Sequence, residues 1–154
     1  MSRYRFRMAV GISAAVFLLT GCFIGYNLYR LKAKKWKEQI EKAGSLVTEV
    51  QNAAGSAGIN ALSPEFRSAN MPKLDDAKSI LLTVQSEMEA TNPPGGKAKE
   101  AHEALKSGVA AFIDAITAIS DGLTLGDPSK KDIAMQKKAE AEGDFAKAKQ
   151  ILMG

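Results

Sequence analysis

KAKEAHEALKSGVAAFIDAITAISDGL, residues Lys97 to Leu123, is the stretch that decides the fold of the chain beyond residue 37. Ala101, Leu105, Gly108, Phe112, Ile116 and Ile119 recur three or four residues apart, and Val109 and Ile113 widen the stripe. That spacing puts them on one face of an α-helix and would scatter them over both faces of a strand. A stripe this broad needs partners on more than one side, so this helix belongs at the centre of its domain.

The neighbouring segments supply those partners. Upstream, Thr91-Asn92-Pro93-Pro94-Gly95-Gly96 is the clearest break in the chain. Before it, Leu74, Ala77, Leu81, Val84 and Met88 predict a helix starting near Pro72, with Asp75 and Asp76 in its favourable first turns. Earlier still, Trp36, Ile40, Ala43, Val47, Val50 and Ala54 predict a helix over 31–54, ended by Gly55-Ser56-Ala57-Gly58. Ile59 to Asn70 reads as a connector in which Ser63-Pro64-Glu65 caps a short turn around Phe66. Downstream, Leu125-Gly126-Asp127-Pro128 closes the central helix and caps a fourth. Its face would be Ile133, Ala134, Ala141, Phe145, Ala148 and Leu152, interrupted by Lys137. The expected architecture is all-α: an N-terminal membrane segment followed by an antiparallel bundle of three to four helices. Residues 1–29 form the membrane or signal segment. Residues 30–54 are a basic juxtamembrane stretch continuing into the first helix, and 72–152 complete one bundle with them.

Gly143-Asp144-Phe145-Ala146-Lys147-Ala148 resembles the turn and second-helix start of a tetratricopeptide repeat. No 34-residue period precedes it, so the resemblance implies only a local break at Gly143, with Asp144 capping a short final helix. The alternative is one continuous helix tolerating a glycine at about 1 kcal/mol.

Charge is distributed unevenly. The chain holds 21 Lys and Arg against 17 Asp and Glu, and eight of the basic residues lie in the first 37 positions, before any acid. The rest of the chain is mildly acidic. Basic residues that bracket an apolar run belong to a membrane segment, which argues against a nucleic-acid-binding face. The run is Met8 to Tyr29, MAVGISAAVFLLTGCFIGYNLY, without a formal charge. As a helix it spans about 33 Å, enough for a bilayer core. It reads either as a spanning helix or as a signal peptide with Arg3, Arg5 and Arg7 as its basic start.

Leu19-Thr20-Gly21-Cys22 resembles the lipobox of bacterial lipoprotein signal sequences. The resemblance implies that Cys22 is thioether-linked to diacylglycerol and becomes the acylated N-terminus after cleavage. The chain departs from that family after the cysteine, where Phe23-Ile24-Gly25-Tyr26-Asn27-Leu28-Tyr29 stays largely apolar instead of forming a polar tether. That departure keeps the spanning reading open. Tyr29, Arg30, Lys32, Lys34, Lys35, Trp36 and Lys37 would lie at the lipid headgroups, the aromatics in the interface and the cations on anionic lipid. The other reading is that they begin a solvated helix with Trp36 as its first core contact.

No constellation for catalysis is legible. One Cys excludes an intrachain disulfide and a cysteine-cluster metal site. Gly95-Gly96-Lys97 lacks the remaining residues of a phosphate loop and follows a helix. Glu100, His102 and Glu103 have neither the three-residue Glu-to-His spacing nor the second His of a di-metal bundle, and read as an exposed polar turn. No His or paired Lys stands ready to activate a serine. Met71, Met88, Met135 and Met153 read as gap fillers.

The expectation is a non-enzymatic, membrane-anchored helical protein of the bacterial envelope, lipid-anchored at Cys22 with its body outside the cytoplasm. It needs no cofactor or metal and has no catalytic residue. Its partners are membrane lipid and another envelope protein, with a homo-oligomer open. One alternative is a single-pass inner-membrane subunit, in which Gly11, Ala14, Ala15, Gly21 and Gly25 allow close helix packing. Another is a ligand-sensing bundle, which lacks the second span and signalling domain of such sensors.

Overall fold

A computed structural model describes residues 27–153. Among these residues there is no strand. They form α1 (Asn27–Ala57), a 3₁₀ turn (Gly58–Leu62), α2 (Pro64–Glu89), α3 (Lys97–Leu125) and α4 (Ser129–Met153). Helices pack in chain order, α1 on α2, α2 on α3 and α3 on α4, the last pair most extensively. Each pair is antiparallel. Trp36 meets Glu87 near one end of α1, and Glu49 meets Lys73 further along it. His102 bonds to Met88, whereas Thr124 bonds to Arg67. Ser107 bonds to Asp144, whereas Gly122 lies beside Lys130.

The stripes are the core. Trp36, Ile40, Ala43, Val47 and Val50 of α1 are buried, as are Leu74, Ala77, Leu81, Val84 and Met88 of α2. Thirteen residues of α3 are buried, including Leu105, Val109, Phe112 and Ile116. By length and composition α3 could cross a membrane. Its apolar face is instead accounted for by the two helices packed on it, the expected pattern for a central core helix. On α4, Ala134, Ala141, Phe145 and Ala148 are buried, while Ile133 is exposed. Gly108 sets the α3–α4 distance: a Cβ there would lie 2.7 Å from Phe145 Cε1. Only hydrogen in that place lets the ring seat.

Two boundaries differ from the sequence reading. The second helix starts at Pro64, not near Pro72. Ser63 caps it, its Oγ accepting from Phe66 N at 3.1 Å, with Pro64 in the first turn. Both prolines look like starts in sequence, but only one follows a capping side chain. Pro72 sits inside α2 and leaves Ser68 O without its helical donor. Both residues are exposed, so water can take that place. Asp75 and Asp76 are therefore mid-helix. The other difference is α4, which runs through Gly143 without a break. Asp144 accepts a hydrogen bond from Ser107 Oγ at 2.6 Å and caps nothing. The tetratricopeptide-like turn is absent, because Ala141, Phe145 and Ala148 share one buried face only if the helix continues.

The α3–α4 turn follows expectation. Gly126 adopts φ 65°, ψ 25°, and its N–H returns to Gly122 O. Asp127 Oδ1 accepts from Ser129 N at 2.9 Å and from Ser129 Oγ at 2.7 Å. Those bonds hold its carboxyl below the usual carboxylate range.

Candidate functional site

The two ends of the helix array differ. At the end where α1 begins, three helices are tied by polar contacts around one imidazole. At the other end α1 stands away from α3 and α4 and leaves a groove.

The tied end is built on Trp36 and His102, each 1% exposed. A buried indole N–H needs an acceptor, and Glu87 Oε2 of α2 supplies it at 3.0 Å. The other oxygen of Glu87 pairs with Lys35 Nζ at 2.7 Å. The Lys35 hydrogen bond is the main reason that the Glu87 carboxyl titrates below its ordinary value. His102 Nε2 lies 3.0 Å from Met88 O, a carbonyl in the last turn of α2 that also accepts from Thr91 N at 3.1 Å. A carbonyl only accepts, so Nε2 carries the proton. Nδ1 is then bare and accepts from Tyr29 Oη at 3.0 Å. The rings of Tyr29 and Trp36 meet edge to face at 6.0 Å, and Trp36 lies 5.6 Å from the His102 ring. Burial pushes His102 below the ordinary imidazole value, partly offset by its bond to Met88.

His102 therefore departs from the expected exposed polar turn. Glu100 and Glu103 do face water, but the imidazole joins α1, α2 and α3. One signal was available: His102 follows Ala101 of the stripe directly, within reach of a broad buried face. Its partners lie 14 and 73 positions away and have no signature in the local spacing.

The residues assigned to the lipid interface separate into two groups. Tyr29 and Trp36 are in the core. Lys32, Lys34 and Lys35 are exposed, and Lys37 is half-buried 3.8 Å from Glu41 Oε1. Lys32 Nζ reaches Thr91 Oγ1 at 3.2 Å. Arg30 belongs to α1. Leu19, Thr20, Gly21 and Cys22, with most of the 8–29 run, lie outside the described residues.

The groove has a volume of about 1050 Å³. One wall is α1, from Glu41 through Gly44, Thr48 and Gln51 to Gly55. The floor is α3, with Phe112, Ala115, Ala118, Ile119 and Gly122. The opposite wall is α4, with Lys131, Ala134, Met135 and Lys138. Small residues create it. A Cβ built at Gly44 or Gly55 meets nothing within 4 Å. Its charged groups are mostly engaged. Glu49 pairs with Lys73 at 3.0 Å and Asp127 caps α4, whereas Glu41 Oε1 is buried without a hydrogen bond, 3.8 Å from Lys37 Nζ. Burial pushes the Lys138 ammonium below its ordinary value, and Glu142 at 3.9 Å opposes that. A smaller cleft of about 240 Å³ between α3 and α4 is lined by Asp114, Asp121, Lys130 and Lys137.

No group of three or more His, Cys, Asp or Glu residues among the described residues is placed to hold a metal ion. Comparison with protein-family models, curated proteins and solved structures yields no match to this chain.

Proposed function

We propose that this chain is a non-enzymatic, membrane-anchored helical bundle of the bacterial cell envelope that acts as a tethered binding module. The observation that carries the reading is the uncharged run Met8–Tyr29, bracketed by Arg3, Arg5, Arg7 and by Arg30 to Lys37, with the only cysteine of the chain behind Leu19-Thr20-Gly21. An apolar run of that length is unfavourable in water and favourable in lipid. Acylation at Cys22 with cleavage before it would replace the run by fatty chains and place the body outside the cytoplasm. Exposed Lys32, Lys34 and Lys35 at the start of α1 support the anchor, since a single lipid signal holds weakly and a basic patch adds to it. The binding role draws support from the groove at the far end of α1.

The second reading keeps residues 8–29 as an uncleaved spanning helix of a membrane complex. It is favoured by the apolar residues that follow Cys22 where a polar tether is usual. The intact mass of the mature protein from membranes tests both. Loss of residues 1–21 with added diacylglycerol supports the lipoprotein. An intact Met1 to Gly21 with unmodified Cys22 refutes it and leaves the spanning subunit. Cys22→Ser gives the same decision in cells, because a lipoprotein accumulates as precursor and a spanning subunit is indifferent.

A further inference from the structure

We propose that His102 is the latch of a pH-gated joint: while its imidazole is neutral it holds the first turns of α1, Asn27 to Lys35, on the α2–α3 pair, and its protonation lets those turns open while the rest of the bundle stays packed. The joint goes beyond the tethering role above and does not depend on it. Residues 1–26 join the bundle through these turns, so the joint sets how firmly that segment is held to the body.

Geometry makes the latch. Nε2–H donates to Met88 O at 3.0 Å and Nδ1 accepts from Tyr29 Oη at 3.0 Å, so the neutral ring uses both nitrogens and links three helices. A second proton removes the acceptor. The Tyr29 hydroxyl can turn to accept from the new N–H, but the charge then lies beside the rings of Trp36 and Tyr29, centred 5.6 and 5.9 Å away, with almost no access to water.

No carboxylate bonds to that charge. On α2, Glu87 is turned to Trp36 Nε1 and Lys35. On α3, Glu103 faces water 3.7 Å from Lys106, and the Lys106 ammonium opposes a proton on the ring. On α1, Lys32 reaches Thr91, and α4 brings neither hydrogen bond nor charge to the imidazole. A buried charge without a partner is relieved by water, and the element that opens most cheaply admits it.

That element is the start of α1. It packs on α2 and meets α3 at His102. Tyr29 and Ala33 are buried there, whereas Leu31, Lys32, Lys34 and Lys35 are exposed. Its polar ties, Lys32 to Thr91 and Lys35 to Glu87, lie at the surface and hold weakly. By contrast α2 packs on both α1 and α3, and α3 is held by α4 as well.

The test reads rare opening by thiol labelling. In the full-length chain with Cys22→Ser, Ala33→Cys puts the sole thiol in the joint and Ala77→Cys puts it in the α2 core. The labelling rate with a dithiodipyridine, divided by the rate for the same chain unfolded in urea, gives the opening constant at each pH. From pH 8 to pH 5 the constant at Ala33 should rise by up to about thirtyfold, the limit for an imidazole that takes its proton near pH 6.5 only when exposed. It should exceed the constant at Ala77 and change little with added urea, whereas the constant at Ala77 should climb steeply. His102→Gln, which keeps a donor and an acceptor, should remove the rise. An opening constant at Ala33 that is the same at both pH values, or that rises equally in His102→Gln, would overturn the proposal. Equal constants with equal urea dependence at Ala33 and Ala77 would mean that the fold opens only as a whole, and would overturn it too.

Discussion

Acidification from pH 8 to pH 5 isolates His102, the only histidine of the chain. In the fold it is buried and neutral, donating to Met88 O and accepting from Tyr29 Oη. Burial lowers its pKa in the folded state, whereas the unfolded chain takes the proton near pH 6.5. The unfolded state therefore binds more protons below that value. Stability from this group is complete above about pH 6.5. It falls by up to about 1.4 kcal/mol per pH unit on acidification and levels off below the folded pKa. Carboxylates titrate in the same range, so the measured quantity is the difference from His102→Gln. Glutamine can donate to Met88 O and accept from Tyr29 while carrying no titrating proton. Urea unfolding followed by Trp36 fluorescence, at half-unit pH steps, gives both curves. Trp36 reports directly, as the sole tryptophan and 5.6 Å from the imidazole ring. The two profiles should run parallel above pH 7 and diverge below 6.5, wild type losing more. Profiles that stay parallel down to pH 5 would refute the buried, neutral imidazole.

Four further outcomes concern packing and caps. Glu87→Ala orphans the buried Trp36 N–H and should cost about 1–3 kcal/mol in urea unfolding. Glu87→Gln keeps an acceptor and loses only the exposed Lys35 pair, so it should cost no more than about 1 kcal/mol. Two glycine substitutions should move the melting temperature in opposite directions. Gly44→Ala, with nothing within 4 Å of the new methyl, should stabilise by up to about 1 kcal/mol. Gly108→Ala drives a methyl against Phe145, an overpacking cost of about 1–3 kcal/mol that outweighs the helix gain. Ser63→Ala should cost about 0.5–2 kcal/mol by removing the α2 cap. Pro72→Ala restores the bond to Ser68 O and should raise the melting temperature, whereas a helix starting at Pro72 would not gain from it.

The all-helical class and the inner faces of α1, α2 and α3 were determined by sequence alone, because a helical stripe is local information; on α4 the expected face wrongly included Ile133, which is exposed. Trp36 to Val50, Leu74 to Met88 and Ala101 to Ile116 repeat at three and four residues, and burial follows that repeat. Caps were legible where side-chain chemistry is unambiguous, as at Ser63 and Asp127. Helix limits were not, where local signals compete with packing. Pro72 imitates a start and Gly143 imitates a break, and both lie inside helices whose buried faces carry across them. The anchor reading at Cys22 rests on sequence throughout.

Tertiary structure decided what depends on distance in space. Only the docking of α1 beside the start of α3 makes His102 a buried link from Tyr29 to Met88. Only the divergence of α1 from α3 and α4 makes Gly44, Gly55 and Ala118 part of the lining of a groove. A small residue reads the same in sequence whether it lets two helices touch, as Gly108 does, or faces empty space, as Gly44 does. Periodicity specifies which face a helix buries; how far apart two buried faces come to rest is set by the side chains of both.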